Sequence, residues 1–233
     1  MKAVVDCLAG LDWSPLWITL KTALAATALS FFLGLWAARR VMSADPKWKA
    51  VLDGLLTLPM VLPPTVAGFF LLLLFSVRRP FGSWLQATFS IKVVQSWAGC
   101  VIAASVIAFP LMYRNARAAF EQVDMNLIYA GRTLGMSERA IFWRVVVPAA
   151  GPGIASGTIL TFARALGEYG ATSMLAGYTP GKTATVSTAV YQLWQTGNDA
   201  LAFRWVLVNV AISAVFLLTV NLLEDRQRRE GRR

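Results

Sequence analysis

Histidine is absent from the 233 residues, and only two cysteines occur, Cys7 and Cys100. Without imidazole, a His-based general acid or base is excluded, and the two thiols make no zinc-ligand spacing. Cys100 lies in an apolar run and reads as a small packed side chain. No GxxxxGK[ST] loop is present to cradle the phosphates of a nucleotide, so energy from ATP would have to enter through another chain. Acidic residues are few, 12 against 22 Lys and Arg, which leaves a formal net charge of +10. Internal repeats are absent too, as are carboxylates deep in the apolar runs, and these are the marks of an ion-coupled secondary transporter.

Charge of either sign is missing from whole stretches, and that absence sets the class. Residues 54–77, 93–113, 145–163 and 205–223 hold no Asp, Glu, Lys or Arg. Each is near the roughly 20 residues that cross a bilayer core as a helix. A shorter run, residues 22–38, reaches that length if Lys21 snorkels its amine to the interface. The expectation is an all-α polytopic membrane protein with about five transmembrane helices, one integral-membrane domain over residues 1–233. Nothing in the first residues has the basic, apolar and small-residue order of a cleaved signal peptide, so the first span is expected to be retained.

Basic residues are grouped. Arg39, Arg40, Lys47 and Lys49 follow the first span; Arg114, Arg117, Arg132, Arg139 and Arg144 fill the central loop; Arg226, Arg228, Arg229, Arg232 and Arg233 end the chain. The other connections hold few. The positive-inside rule puts these three groups in the cytosol and the N-terminus outside. A basic tail over residues 224–233, set beside a membrane, is expected to meet anionic lipid rather than nucleic acid.

The central loop, about residues 118–147, carries the most information. In AGRTLGMSERAIFWRVVVP, from Ala130 to Pro148, apolar residues recur at helical spacing on both sides of a glycine. Gly135 fits the left-handed position that ends a helix, and Ser137 can cap the next one. Pro148 is tolerated in the first turn of a helix entering the membrane. A helix–Gly–helix hairpin on the cytosolic face of such a protein is a lever.

Other features leave alternatives open. Pro59, Pro63 and Pro64 interrupt the second span, as a packed kink or as part of a gate. Lipid cannot satisfy the freed carbonyls, so the break is expected to face protein or a wet pathway. The third span is expected to end at Phe109-Pro110, and residues 78–84 to form an outer turn. Gly151, Gly153 and Gly157 allow close approach to another span or another subunit. Residues 177–199 read as a polar outer loop with a turn at Pro180-Gly181 and a short helix over 189–195. Arg164 and Glu168, four apart in apolar surroundings near the outer interface, form a structural pair or a rim that draws anions. Trp13, Trp17, Trp84, Trp97 and Trp205 are read as interfacial anchors.

The loop resembles the Glu-Ala-Ala loop of ABC importer permeases at Ala130, Gly135 and Pro148, with the same Gly-to-Pro spacing. It departs where Ile128 stands in the usual Glu position and Gly131 in that of the second small residue. Glu121, Asp124 or Glu138 could supply the missing charge. The runs LPMVLPPTVAGFFLL from Leu58, VRRPFG from Val77, FARALGEYGAT from Phe162 and PGKTATVSTAVYQLWQT from Pro180 extend the likeness over residues 16–223. They resemble the permease subunits of molybdate importers and, around the loop and ARALGEYGA, those of sulfate/thiosulfate importers. The resemblance implies docking of Ala130, Gly131, Arg132, Leu134, Gly135 and Pro148 on a cytosolic ABC ATPase. It implies ATP and Mg on that partner and no cofactor in this chain. A second permease copy in a homodimer, a periplasmic oxyanion-binding protein and a bacterial inner-membrane location follow from it as well. Pro63, Pro64, Arg164 and Glu168 are the candidate gate and pathway residues. Sulfate/thiosulfate uptake, a secondary transporter and a non-transporting membrane scaffold are the other readings.

Overall fold

The computed structural model describes residues 12–230, with side chains described to residue 220. Cys7 and the first segment lie outside the described residues, as do the side chains of the basic tail. All regular structure among the described residues is helical. In order, the helices are α1 (Ser14–Met42), α2 (Pro46–Val61), α3 (Pro64–Phe75), α4 (Pro80–Phe89), α5 (Trp97–Glu121), α6 (Met125–Thr133), α7 (Glu138–Ala149), α8 (Gly151–Leu166), α9 (Gly170–Leu175), α10 (Val186–Gln195) and α11 (Asp199–Glu230). Three of these, α1, α5 and α11, are long and apolar enough to span a membrane alone. Two bent pairs, α2 with α3 at 108° and α7 with α8 at 70°, bring the number to as many as five.

The signals at the helix starts act as their chemistry requires. Asp12 accepts hydrogen bonds from the Ser14 amide at 3.0 Å and the Ser14 hydroxyl at 2.7 Å, just before Pro15 in the first turn of α1. Pro46 opens α2 and Pro64 opens α3, where the missing N–H is no loss. Ser96 caps α5 through the Gly99 amide.

The centre of the molecule is α1 packed along α5, with α8 laid across both. The facing residues are small: Ala23, Ala26, Ala37 and Ala38 on α1, and Ala104, Ala108 and Ala116 on α5, all buried. A Cβ on Gly153 would lie 2.6 Å from the Ala119 Cβ, and one on Gly157 2.6 Å from the Asn115 Cβ. The two glycines therefore serve contact between helices of one chain, α8 on α5. Close backbone approach replaces the hydrophobic drive that is lost when both sides of a contact face lipid.

The spans differ from expectation in four places. The run 54–77 is not one helix: Leu62 and Pro63 are extended, with ψ 140° and 133°. Pro63 and Pro64 have no N–H to continue the ladder. The run 145–163 does not begin a membrane helix at Pro148. Pro148 continues α7 past a π-helical turn over Phe142–Val146, and the chain bends at Ala150 before Pro152 opens α8. The third span does not end at Phe109-Pro110; α5 runs on to Glu121 with Pro110 buried inside it. Residues 78–84 are in part helix, since α4 starts at Pro80.

Residues 177–199 are also less superficial than a loop. The turn at Pro180-Gly181 is present, Gly181 at φ +72°, and α10 begins three residues earlier than the expected 189. Thr183, Thr185 and Thr188 are buried. The Val186 amide donates to Thr19 Oγ1 of α1 at 2.8 Å. Lys21 reaches its amine over the Trp97 ring at 5.1 Å. Of the five tryptophans read as interfacial anchors, Trp205 is not exposed; it is 3% accessible and packs edge-on to Trp13 at 6.2 Å.

Candidate functional site

The hairpin is built from local signals. The Asp124 carboxylate accepts from the Asn126 amide at 2.9 Å and starts α6. At the other end Gly135 sits at φ +71°. Its amide donates to the Arg132 carbonyl at 3.0 Å, and the Met136 amide donates to that of Gly131 at 3.1 Å. This double closure is a Schellman ending, whose left-handed residue is glycine because a Cβ there is strained. Ser137 then accepts from the Ala140 amide at 3.3 Å and starts α7.

Inside the hairpin, Ile128, Met136, Ile141, Phe142 and Val146 join an apolar cluster with Met112, Tyr113 and Phe120 of α5. Gly131 is buried because a Cβ would come within 3.1 Å of Ile141 Cγ1. The Ile128 departure from the family motif therefore enters the hairpin's apolar interior. Arg132 makes a two-pronged contact with Glu138, Nε to Oε1 at 2.8 Å and Nη2 to Oε2 at 3.3 Å, tying α6 to α7 across the turn. The hydrogen bond from Arg132 holds the Glu138 carboxyl below the usual glutamate range, and the ion pair adds to it. Of the three acids that could replace the motif's Glu, Glu138 is engaged with Arg132, Glu121 with Arg117, and Asp124 with the amide it caps.

The outer face of the hairpin is apolar and open. Met125, Leu127, Tyr129 and Trp143 are about half exposed, and Leu134 at the tip is 79% exposed. Ala130, Arg132, Gly135 and Pro148 are exposed with them. Behind the tip a recess of about 360 Å³ opens between the hairpin and the ends of α1 and α5, bordered by Arg39, Met42, Phe120 and Ile128.

The second group of candidates converges at a helix junction. Arg164 Nη2 lies 2.8 Å from Glu168 Oε2, so the expected pair is formed. Glu168 is 3% exposed, and its Oε1 accepts the Ala171 amide at 2.7 Å, at the start of α9. The Arg164 contact is not aligned as a hydrogen bond, so Oε2 carries an ionic contact without a hydrogen-bond donor among the described residues. Three residues on, α9 meets the broken span. A Cβ on Gly170 would lie 2.9 Å from the Pro64 Cβ, and one on Gly68 2.6 Å from the Ala171 Cα. Pro64 and Gly170, about a hundred residues apart in sequence, thus meet at one crossing of α3 and α9; Pro64 lies against protein there, while Pro63 is exposed.

Beside this junction lies a recess that the sequence did not single out. Tyr169, Ser173, Tyr178, Thr188, Tyr191 and Gln192 surround about 180 Å³. Its lining offers hydroxyl and amide donors and no Lys or Arg. The signal lay in the Tyr191-Gln192 pair of the fourth quoted run, but only the packing of α10 on α11 and α1 turns it toward Tyr169, 5.2 Å away between ring centroids.

These features define a polytopic helical transport subunit: spans packed through small residues, a bent span held at a glycine crossing, and a projecting apolar hairpin. The chain belongs to the family described as the binding-protein-dependent transport system inner membrane component, matched over residues 30–229. It is 39% identical over 208 residues to the molybdenum transport system permease protein ModB of Escherichia coli K12, covering 89% of this chain and 91% of that one. It is 32% identical to the sulfate transport system permease protein CysT of the same organism, covering 97% and 86%. Among solved structures, a bacterial alginate ABC transporter in complex with an alginate pentasaccharide-bound periplasmic protein matches with a TM-score of 0.70 at 16% identity, over 97% of this chain and 86% of that chain. The chain is an ABC importer permease subunit of the all-helical type; its relatives are transport subunits, not enzymes.

Proposed function

We propose that this subunit forms the membrane pathway of an ATP-driven molybdate importer, with tungstate as the analogue it also passes. The observation that carries the reading is the hairpin: a rigid double-capped turn, tied by Arg132 and Glu138, that offers a bare apolar tip. A cytosolic ABC ATPase bearing ATP and Mg covers that tip, and residues 118–147 act as the coupling loop. A homodimer of this chain, one permease domain per copy over residues 1–233, covers the lipid-sized apolar faces. The N-terminus is periplasmic and the basic tail, residues 224–233, cytosolic, in a bacterial inner membrane. A periplasmic oxyanion-binding protein delivers the substrate.

Molybdate is favoured over sulfate by the identities, 39% against 32%. The hydroxyl-lined recess beside Glu168 supports a tetrahedral oxyanion as cargo. A pathway must hold its ion weakly enough to release it, and neutral donors do so better than a cluster of Lys or Arg. Uptake of radiolabelled molybdate by a strain deleted for this gene and complemented with it tests the assignment. Tungstate should compete strongly and sulfate weakly. Strong competition by sulfate alone would move the reading to the sulfate permeases.

A further inference from the structure

Helix α2, the cytosolic-side arm of the broken span, has no buried residue. Leu52 and Leu56 give it partial apolar contact with the bundle. At its inner end, past Leu62 and Pro63, two extended residues connect it to α3 at 108°. A charged cluster completes its attachment. Asp53 forms an ion pair with Arg117 of α5 and accepts the Tyr113 hydroxyl at 2.5 Å. Arg117 Nε donates to Glu121 Oε1 at 2.9 Å, and Lys49 Nζ reaches the same oxygen at 3.2 Å.

The spacing is that of two facing stripes. Lys49 and Asp53 are four apart on α2; Tyr113, Arg117 and Glu121 are four apart in turn on α5, so each set shares one helix face. Two positive and two negative charges balance. Tyr113 is wholly buried, which fixes the α5 side. Asp53 and Glu121 keep 39% and 44% of their side-chain surface in solvent. Pairs that stay this wet are individually weak and easily exchanged for water. A fully buried set would instead be hard to open without stranding a charge. One turn beyond Glu121, α5 passes into Asp124, the cap of the hairpin.

We infer that Lys49, Asp53, Tyr113, Arg117 and Glu121 form a releasable ionic latch that clasps the cytosolic arm α2 to α5, with Leu62-Pro63 as the hinge on which the arm swings. The hairpin and the latch share α5, so a shift of the hairpin changes the register of the two stripes. The latch itself stands on this geometry alone, while its use in a transport cycle rests on the importer reading above.

Spin labels on Val51 and Ala118, exposed positions of α2 and α5 outside the latch, report the arm's position in the full-length protein in lipid nanodiscs, with Cys7 and Cys100 replaced by serine. Pulsed dipolar spectroscopy should give a dominant short distance. Asp53→Asn and Arg117→Gln should each raise the long-distance population on the order of two- to fivefold, as loss of a partly exposed pair predicts. The fourfold swap Lys49→Glu, Asp53→Arg, Arg117→Asp and Glu121→Lys reverses every charge, keeps each pair opposite, and should restore the short distance. Unchanged distances in both single variants would overturn the latch. A swap that folds yet stays at the long distance would also overturn it, because packing rather than charge would then position the arm. If the swap fails to fold, Tyr113→Phe decides. It keeps the ring and removes one hydrogen bond; a rise in the long population supports the latch and no change refutes it. None of these readouts requires molybdate or an ATPase, so failure of the substrate assignment leaves them intact.

Discussion

At the scale of single residues, Gly135 and Glu168 make the sharpest claims. Gly135 sits at φ +71° with nothing within 4 Å of where a Cβ would be, so its constraint is conformational and not steric crowding. A left-handed residue with a Cβ costs about 1–2 kcal/mol, and a β-branched one is strained further. Gly135→Val should insert normally but lose uptake and stimulated ATP hydrolysis together, whereas Gly135→Asn should keep most of both. Wild-type activity in the valine variant would remove the hairpin from coupling. Glu168 is a different case, since its carboxylate serves Arg164 and the Ala171 amide at once. Glu168→Gln should lower the yield of folded protein in detergent, because leaving a buried charge unpaired costs roughly 3–5 kcal/mol, less here because Arg164 is partly exposed. Full yield with altered anion passage would instead assign the pair to the pathway. Glu138 gives a pH prediction. Its carboxyl is held below the ordinary glutamate range, so its contribution is present above the unfolded value and is lost as pH falls through the lower, folded one. Hydrogen exchange in the hairpin, corrected for intrinsic rates, should speed up in that acid range and should lose this dependence in Glu138→Gln. The group is fully exposed, so added salt should blunt the effect.

At the scale of elements, the two bent pairs and the α8 glycines carry the architecture. Gly157 of α8 lies against Asn115 of α5, where a Cβ would stand 2.6 Å away. Gly157→Leu should force α8 off α5 and destabilise the subunit by about 1–3 kcal/mol, the usual penalty for overpacking. A lowered unfolding temperature in detergent checks it, and Gly151→Ala, where nothing lies within 4 Å, should be nearly silent by the same measure. The turn of the hairpin was legible in sequence because each side of it is set by one residue next to it, Gly135 and Ser137; the cap at Asp124 was found only in the structure. The start of α8 was not legible, because Pro148 and Pro152 carry the same local signal. What separates them is the bend at Ala150 and the packing of Gly153 on Ala119, which are contacts and not propensities.

For the whole molecule, the prediction is topological. Cysteines introduced at Asp6 and at Glu230, in a variant lacking Cys7 and Cys100, should be labelled from opposite sides of the membrane. An impermeant reagent should reach Asp6 in intact cells and Glu230 only after the membrane is opened. Labelling of Glu230 in intact cells would reverse the orientation and with it the cytosolic place of the hairpin. Helix α11 bears on the assembly. Its apolar window is only 17% buried within one chain, and Val210, Val215, Leu217 and Leu218 are more than half exposed. Lipid or a second copy must cover them.

The sequence by itself determined the class, the apolar runs, the turn of the hairpin and the Arg164–Glu168 pair. Each depends on short-range order: a run without charge, a glycine after a helix, two charges four residues apart. Tertiary structure alone decided that Pro64 and Gly170 meet at one crossing, and that Gly153 and Gly157 face α5 of their own chain. It also decided that Thr183, Thr185 and Thr188 are buried, and that Lys49 and Asp53 meet Tyr113, Arg117 and Glu121. Those pairings join residues tens to a hundred positions apart. Their chemistry looks ordinary until the helices cross, because a pattern along one helix says which face a residue is on but not which helix that face will meet.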